Sequence, residues 1–591
     1  MKLLYSFLGL LSFCFLIGCD LFAVSTRTSE SLSLSAELSE IVVSSNLQLE
    51  ATGGVPPYVF SLENSLVMGS VDSSTGLYTA PSGATLNNIL VTDSVGSVAE
   101  FLVTVKSALS LTTDSTSSRT GEVKTLTPVG GVSPYIFEIL SGSGVVGSET
   151  GVFSAPWTVD TSVVQVTDAQ SNTATISISR SAQALMNGTL ATDSVSAGGV
   201  DGLGNIYFAG ATDGAFSGFS NSGSYDAYIV KTNSRGVTEW IRQFGTSGYD
   251  KVHALAIDSS NRIYLVGETA GTLGTNTPVG SIDAFIQVYS PEGDIVWSTQ
   301  LGTTSTDRAF SLAIDNTNGF LYIAGQTYGN YQGVSAGSSD LFLAQYTLNG
   351  VLNWVDQSGT SNNDAVRGVA VDPSGYVYIT GTLGYASGAS PSFNGISYTQ
   401  YSTPSFVVKY SSSGSVLWSL VPVNGGQYPY SGYSLVADSN GGLYVAFRDD
   451  DSFINNNWGT VVVKYSTHDG SLVWANDPSE NYTGYYLYAS LTLDSSRNPV
   501  LVSSTYNYAS EVGLYQFQSS ITKMNTSTGA EIWNQNLGDI GATTLGYVAA
   551  SNSDRTEFFM MGVSNGALGG SAAAGSFDPF VAKYDLNGDL K

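Results

Sequence analysis

The chain of 591 residues carries 21 Lys and Arg against 48 Asp and Glu, a formal net charge of −27, and only 12% of its residues are charged. That is about half the usual globular share, and an acidic surface repels the phosphate backbone that basic clusters bind, so nucleic acid is excluded as a partner. With 66 Gly, 34 Tyr and 25 Phe beside 6 Met and 2 His, the composition favours strands and tight turns and excludes a coiled coil or a multi-span membrane protein.

After Met1-Lys2, Leu3 to Gly18 is an almost unbroken apolar run, shorter than the ~20 residues a spanning helix needs, and residues 1–18 are expected to be a signal peptide. The run ends in Leu16-Ile17-Gly18-Cys19, which resembles the lipobox of bacterial lipoproteins. The resemblance implies diacylation of Cys19 and removal of the segment before it. Cys14 would leave with that segment, so no thiol remains for a disulfide-linked partner. Acyl chains add about 0.8 kcal/mol per buried CH₂ and anchor a protein without a spanning helix. The implied partner is therefore a membrane and the implied address the bacterial cell envelope, with the outer membrane or cell surface favoured. Asp20 resembles the inner-membrane retention signal of enteric lipoproteins, which keeps the periplasmic face of the inner membrane open.

Residues 19–31 form a Ser/Thr-rich tether, and beyond it the chain repeats itself. Gly53-Gly54-Val55-Pro56-Pro57-Tyr58 recurs as Gly130-Gly131-Val132-Ser133-Pro134-Tyr135, and Thr75-Gly76-Leu77-Tyr78-Thr79-Ala80-Pro81 as Thr150-Gly151-Val152-Phe153-Ser154-Ala155-Pro156. Two modules, 32–106 and 107–180, follow, each with short alternating strands between Gly, Pro and Asp turns, the pattern of an antiparallel sandwich. The pair resembles bacterial Ig-like, cadherin-like modules.

From residue 181 the period changes. Gly-x-x-x-Trp recurs at Gly236/Trp240, Gly293/Trp297, Gly350/Trp354, Gly414/Trp418, Gly470/Trp474 and Gly529/Trp533, and a seventh Gly, Gly588, stands 59 residues after the sixth. An acid-turn-aromatic signature runs in phase from Asp201/Tyr207 to Asp438/Tyr444, with degraded copies near Asp494 and Asn552. Units of this length with four short strands each predict propeller blades, because a ring buries each blade's faces on its neighbours and leaves few open edges. The expected fold is all-β: two N-terminal sandwiches and a seven-bladed β-propeller over 181–591. The six tryptophans are expected to pack blade on blade. The stretch resembles the SBBP-type bacterial beta-propeller repeat family through motifs such as Asp372-Pro373-Ser374-Gly375-Tyr376-Val377-Tyr378-Ile379-Thr380-Gly381. That resemblance implies a fold and no particular activity. The pair Gly188-Thr189 matches the Gly-Thr that follows the Trp in other blades, so residues 182–187 are predicted to close the ring beside Phe580 to Tyr584.

Asp193, Asp250, Asp307 and Asp364 recur at intervals of 57 residues, each eight before the turn Asp of its blade. At the head of inner strands they would line one mouth of the channel and could bind Ca²⁺ or a basic ligand; alternatively, each caps the backbone of its own turn. No other cofactor is expected. His253 and His468 fall at non-equivalent places and suggest no catalytic set. Tyr-rich stretches 482–488 and 506–515, with the insert 385–401, would form a rim for docking. The leading expectation is a lipid-anchored, non-catalytic platform for a protein or glycan. The alternatives are an envelope enzyme, either quinoprotein-like or acting on polysaccharide through channel carboxylates, and a periplasmic assembly scaffold.

Overall fold

The computed structural model describes residues 30–591 apart from 64–68, 119–122, 143, 155–160, 181–184, 187, 332–334, 385–391, 399–402, 424–428, 430, 450–458, 477–484, 510–513, 538–542, 566–567 and 569–576. Cys19 and the signal segment lie outside the described residues, as does most of the expected tyrosine rim. No described helix is long and apolar enough to cross a membrane. The chain divides into two compact units. One runs to Thr112 and takes in Thr127–Ile136 and Val166–Ala174; the other comprises Thr113–Leu126, Phe137–Gln165 and Thr175–Lys591.

In the first unit two four-stranded sheets enclose one core. The first orders Ser33–Ala36, Asn46–Thr52, Leu77–Thr79 and Ser70–Val71; the second orders Glu40–Val42, Val98–Lys106, Thr85–Thr92 and Val59–Leu62. Alternating residues Leu47, Leu49, Ile89, Val91, Val103 and Val105 fill the space between them with Phe60 and Tyr78. The expectation of wholly antiparallel sheets is corrected at one edge, where Glu40–Val42 runs parallel to Thr104–Lys106. The second module has the same feature, Ser117–Ser118 lying parallel to Ser179–Arg180. In both places a long connection rather than a hairpin joins the paired strands, as parallel pairing requires.

The repeated Gly-Gly-Val-x-Pro-Tyr has a local cause. Gly53 and Gly54 hold φ of 71° and 60°, a region that favours Gly. The Tyr58 hydroxyl donates to Gly53 O at 2.6 Å, while Asp93 accepts the amides of Val55, Val95 and Ser97. Tyr135 and Asp168 repeat the arrangement at Gly130 and Val132.

From residue 185 onward the described residues form seven four-stranded antiparallel sheets. Their first strands are Asp193–Val200, Asp250–Ile257, Asp307–Asp315, Ala365–Val371, Ser431–Ala437, Tyr485–Leu493 and Thr544–Ser551. Each first strand adjoins the next, and the last returns to Asp193–Val200, so the sheets close a ring. In the sheet that contains Thr544–Ser551 the fourth strand comes from the other end of the chain. Leu185–Met186 pairs antiparallel with Phe580–Val581, at the place the Gly-Thr register assigned to it.

Sheet-to-sheet fastening follows the repeat motifs. The Trp240 indole donates to Pro291 O at 3.0 Å, Trp297 to Leu348 O at 3.1 Å, Trp474 to Thr526 O at 3.1 Å and Trp533 to Leu586 O at 2.9 Å. Trp418 reaches Thr467 O at 3.4 Å. Each acceptor lies in the turn before the next sheet's Gly-x-x-x-Trp, and the Gly of that turn sits on the indole face. At Gly529, with φ 76°, a Cβ would meet Trp474 Cε3 at 2.7 Å. Four third-strand lysines, Lys231, Lys409, Lys464 and Lys523, donate to the same turn carbonyls. Within each sheet the turn acid organises its own hairpin: Asp201, Asp258, Asp372 and Asp438 each accept two turn amides and the hydroxyl of the following Tyr.

Candidate functional site

The four aspartates do begin, or immediately precede, the first strands, but they do not line the channel. Asp193, Asp250, Asp307 and Asp364 are at most 1% exposed. Asp250 Oδ2 accepts the Thr246 amide at 2.6 Å and the Thr246 hydroxyl at 3.0 Å, and Oδ1 accepts the Thr269 hydroxyl. Thr189, Thr303 and Thr360 serve the other three in the same way. The physical reason is the preceding Gly-Thr turn: its orphan amide needs an acceptor, and a carboxylate four residues on supplies one. Across Gly245 the third-strand acid Asp226 faces Asp250, since a Cβ there would lie 2.4 Å from Asp226 Oδ1 and 3.0 Å from Asp250 Oδ2. Desolvation first, then the facing acid, raises the pKa of Asp193, Asp250 and Asp364 despite their hydrogen bonds. Among the described residues no group of three or more His, Cys, Asp or Glu is placed to hold a metal.

What lines the channel is a different set of residues at the same period. Each first strand carries a β-bulge against its second strand, two or three residues after the strand start. The extra residues of the first four are Ser196, His253, Phe310 and Arg367, again 57 apart. Those of the last three are Tyr433, Leu487 and Tyr547. A bulge leaves its extra residue out of the ladder and re-aims the side chain.

In five of the seven sheets a cause sits on the second strand, whereas Phe447 and Thr505 hold that place in the other two. A Cβ on Gly267 would lie 1.9 Å from Lys251 O, and Gly210, Gly325, Gly381 and Gly562 are equally close to their first strands. Only Gly admits this approach. All the bulge residues except Leu487, whose side chain lies outside the described set, line a cavity of about 280 Å³. Farther along the channel a second cavity of about 470 Å³ is walled mainly by aliphatic residues such as Ile257, Ile314, Val371 and Leu493, with Arg555 at one side.

His253 and Arg367 are the basic side chains that line the first cavity. His253 Nε2 lies 3.0 Å from Glu268 Oε1, and Arg308 Nε donates to Glu268 Oε2 at 2.5 Å. Lys251 stands opposite Glu268 in the ladder. Desolvation lowers the His253 pKa, with Lys251 and Arg367 adding to the effect against the pull of Glu268. Glu268 is pushed up by desolvation, yet the hydrogen bonds and charges of His253 and Arg308 outweigh that push and hold it below the usual range. Arg367 is open to the channel water but walled by the strands, and desolvation lowers its pKa as well. Its guanidinium lies 4.7 Å from the Phe310 ring centroid, and the His253 and Phe310 rings meet edge to face at 5.0 Å. Among the described residues Arg367 has no acidic partner. Tyr547 stacks edge-on with Tyr488 at 4.4 Å across the other side.

Of the residues singled out from the sequence, the tryptophans fasten sheets and the aspartates cap turns. The expected rim insert contributes Phe393 and Tyr398 to a hydrophobic core instead. The channel residues were missed because they do not repeat. Their signal was the slot three residues after each recurring Asp.

Three stretches, 239–274, 296–332 and 353–382, match the Beta-propeller repeat family, and the chain has a β-propeller fold built from such repeats. It is 23% identical over 431 residues to the regulatory protein FlaEY of Caulobacter vibrioides, a match covering 65% of this chain and 44% of that protein. The chain thus spans less than half the length of that relative. Among solved structures, BamB of Moraxella catarrhalis is 12% identical with a TM-score of 0.33, covering 66% of this chain and 85% of that one. The propeller domain of the Trilobed protease of Pyrococcus furiosus is 8% identical with a TM-score of 0.39, covering 69% and 96%.

Proposed function

We propose that the chain is a lipid-anchored protein of the bacterial envelope, joined to the membrane through Cys19, in which Ig-like modules precede a seven-bladed β-propeller that acts as a binding platform. The observation that carries the platform reading is the bulge ring. Scaffold positions repeat from sheet to sheet, whereas the residue each bulge directs into the channel differs in every sheet but two. A stability role would favour repetition there, as it does for the tryptophans and turn acids. Non-repeating His, Arg, Phe and Tyr around one cavity instead form a ligand-sized recognition surface.

The test uses the full processed chain and its Arg367→Ala/Tyr433→Ala/Tyr547→Ala variant, probed side by side against glycan and protein arrays. The platform reading expects the wild type to retain a defined set of ligands that the variant loses. Identical capture by both overturns it. Labelled palmitate entering the wild type and not Cys19→Ala tests the anchor.

A second reading, an envelope enzyme acting on polysaccharide, is favoured by His253, bonded to Glu268 and sharing the cavity lining with Arg367, an arrangement suited to proton abstraction. It relocates the chemistry from the aspartates to the bulge ring. Product formation from a bound glycan, abolished in His253→Asn with binding intact, would replace the non-catalytic reading.

A further inference from the structure

We infer that the ring of bulge residues recognises an acidic sugar residue of a glycan, its anionic group held by Arg367 and its ring set among Phe310, Tyr433 and Tyr547. The inference rests on the platform reading and assigns its ligand class. Three observations converge on it.

The first is charge. Lys251 and Arg308 neighbour a single carboxylate, Glu268, which accepts from Arg308 and pairs with His253. Lys231, Lys409, Lys464 and Lys523 are tied down at the sheet junctions. Arg367 instead meets only an aromatic face and channel water, so an incoming carboxylate or sulfate finds a planar fork of donors with no protein acid to displace. The net charge of −27 does not override this. At physiological ionic strength the Debye length is about 8 Å, so surface acids are screened while groups inside the cavity are not.

The second is shape and surface. About 280 Å³ admits one sugar ring with its substituents, and rigid aromatic walls give contact area at low entropic cost.

The third separates a glycan from a peptide. A peptide threading the channel would pair with the inner edges of the first strands, as added strands do. On three of the seven first strands those edges are partly taken up: the amides of Val369, Leu491 and Ala549 donate to Ser311 Oγ, Ser434 Oγ and Ser490 Oγ of the neighbouring strands at 3.0–3.1 Å. That favours recognition by side chains, which suits a compact anionic ring.

The experiment is calorimetric titration of the full chain at 0.15 M salt with four probes: a trigalacturonate, its methyl ester, a sulfated galactan oligosaccharide and a hexa-aspartate peptide. The expected result is binding of the trigalacturonate, the sulfated oligosaccharide or both. The response of these two assigns the anion as carboxylate or sulfate. Binding should weaken about ten- to hundredfold in Arg367→Gln, the loss of a charge-assisted hydrogen bond, while the methyl ester fails to bind. Tyr547→Ala is the second variant, and near-wild-type unfolding midpoints for both show that the ring has been altered without loss of fold. Equal binding of the methyl ester, or unchanged affinity in Arg367→Gln, overturns the inference. Binding of hexa-aspartate alone, sensitive to Arg367, overturns the glycan and leaves the platform standing. Binding of any probe that neither variant affects overturns both.

Discussion

Replacing Gly529 by Ala isolates what holds one sheet to the next. Gly529 holds φ 76°, and a Cβ there would lie 2.7 Å from Trp474 Cε3 and 2.9 Å from Cδ2. The indole cannot retreat freely, because its Nε1 is bonded to Thr526 O in the same turn at 3.1 Å. Gly319 is the matched control, with φ 74° and nothing within 4 Å of an added Cβ. Both substitutions carry the left-handed backbone cost of about 1–2 kcal/mol. Only Gly529→Ala adds overpacking against a fixed ring, about 1–3 kcal/mol more. Expected losses are therefore about 1–2 kcal/mol for Gly319→Ala and about 2–5 kcal/mol for Gly529→Ala, measured by urea unfolding followed through tryptophan fluorescence and far-UV circular dichroism. In a Trp474→Ala background the excess at Gly529 should vanish, since the partner of the clash is gone. Equal losses at the two glycines, or an excess that persists without Trp474, would refute the account of Gly-x-x-x-Trp as the fastening between sheets.

Asp250→Asn tests the buried turn acids. Because burial raises the folded pKa of Asp250 above the ordinary carboxylate value, its ionisation opposes folding: the stabilisation its protonated form contributes is greatest below the unfolded pKa and declines as pH rises through the folded one. Wild type should therefore gain stability relative to the variant as pH falls from 7 through the acid range, and a constant difference from pH 7 to 4 would contradict the assignment. Trp297→Phe should cost about 0.5–1.5 kcal/mol more than Trp354→Phe, since Trp297 Nε1 donates to Leu348 O whereas Trp354 Nε1 has no partner among the described residues; equal costs in equilibrium unfolding would remove the indole bond from the account. Deleting residues 580–591 takes away the strand that Leu185–Met186 pairs with and the turn that covers Trp533. Melting of the ring should fall by several degrees, and an unchanged transition would show that the strand exchange does not close it.

The repeated scaffold was legible because packing obligations repeat. Every Gly-x-x-x-Trp and every turn Asp marks a contact that each sheet must make with its neighbour or within its own hairpin, so the period, the strand count per unit and the closing strand could be read from spacing. The same logic misled the search for a site. Asp193, Asp250, Asp307 and Asp364 stood out because they recur, and they recur because each solves the same backbone problem beside a Gly-Thr turn. Arg367 and Tyr547 did not stand out, since nothing in one sheet echoes them in another. Their positions depend on a bulge opposite a second-strand Gly, and a bulge shifts the in-out alternation by one residue, which a strict two-residue period does not register. The parallel edge at Glu40–Val42 was missed for a related reason: three residues carry too little pattern to reveal their direction.

The bulges also divide labour within each strand. The residues on either side of the extra one pair in the ladder, while the extra one has no ladder partner. A chain assembled by copying a unit of this kind therefore inherits, with every copy, one position free of the pairing that holds the sheet. Six such positions, those whose side chains are described, line one shared cavity, so what the lumen presents can change residue by residue without breaking a ladder bond.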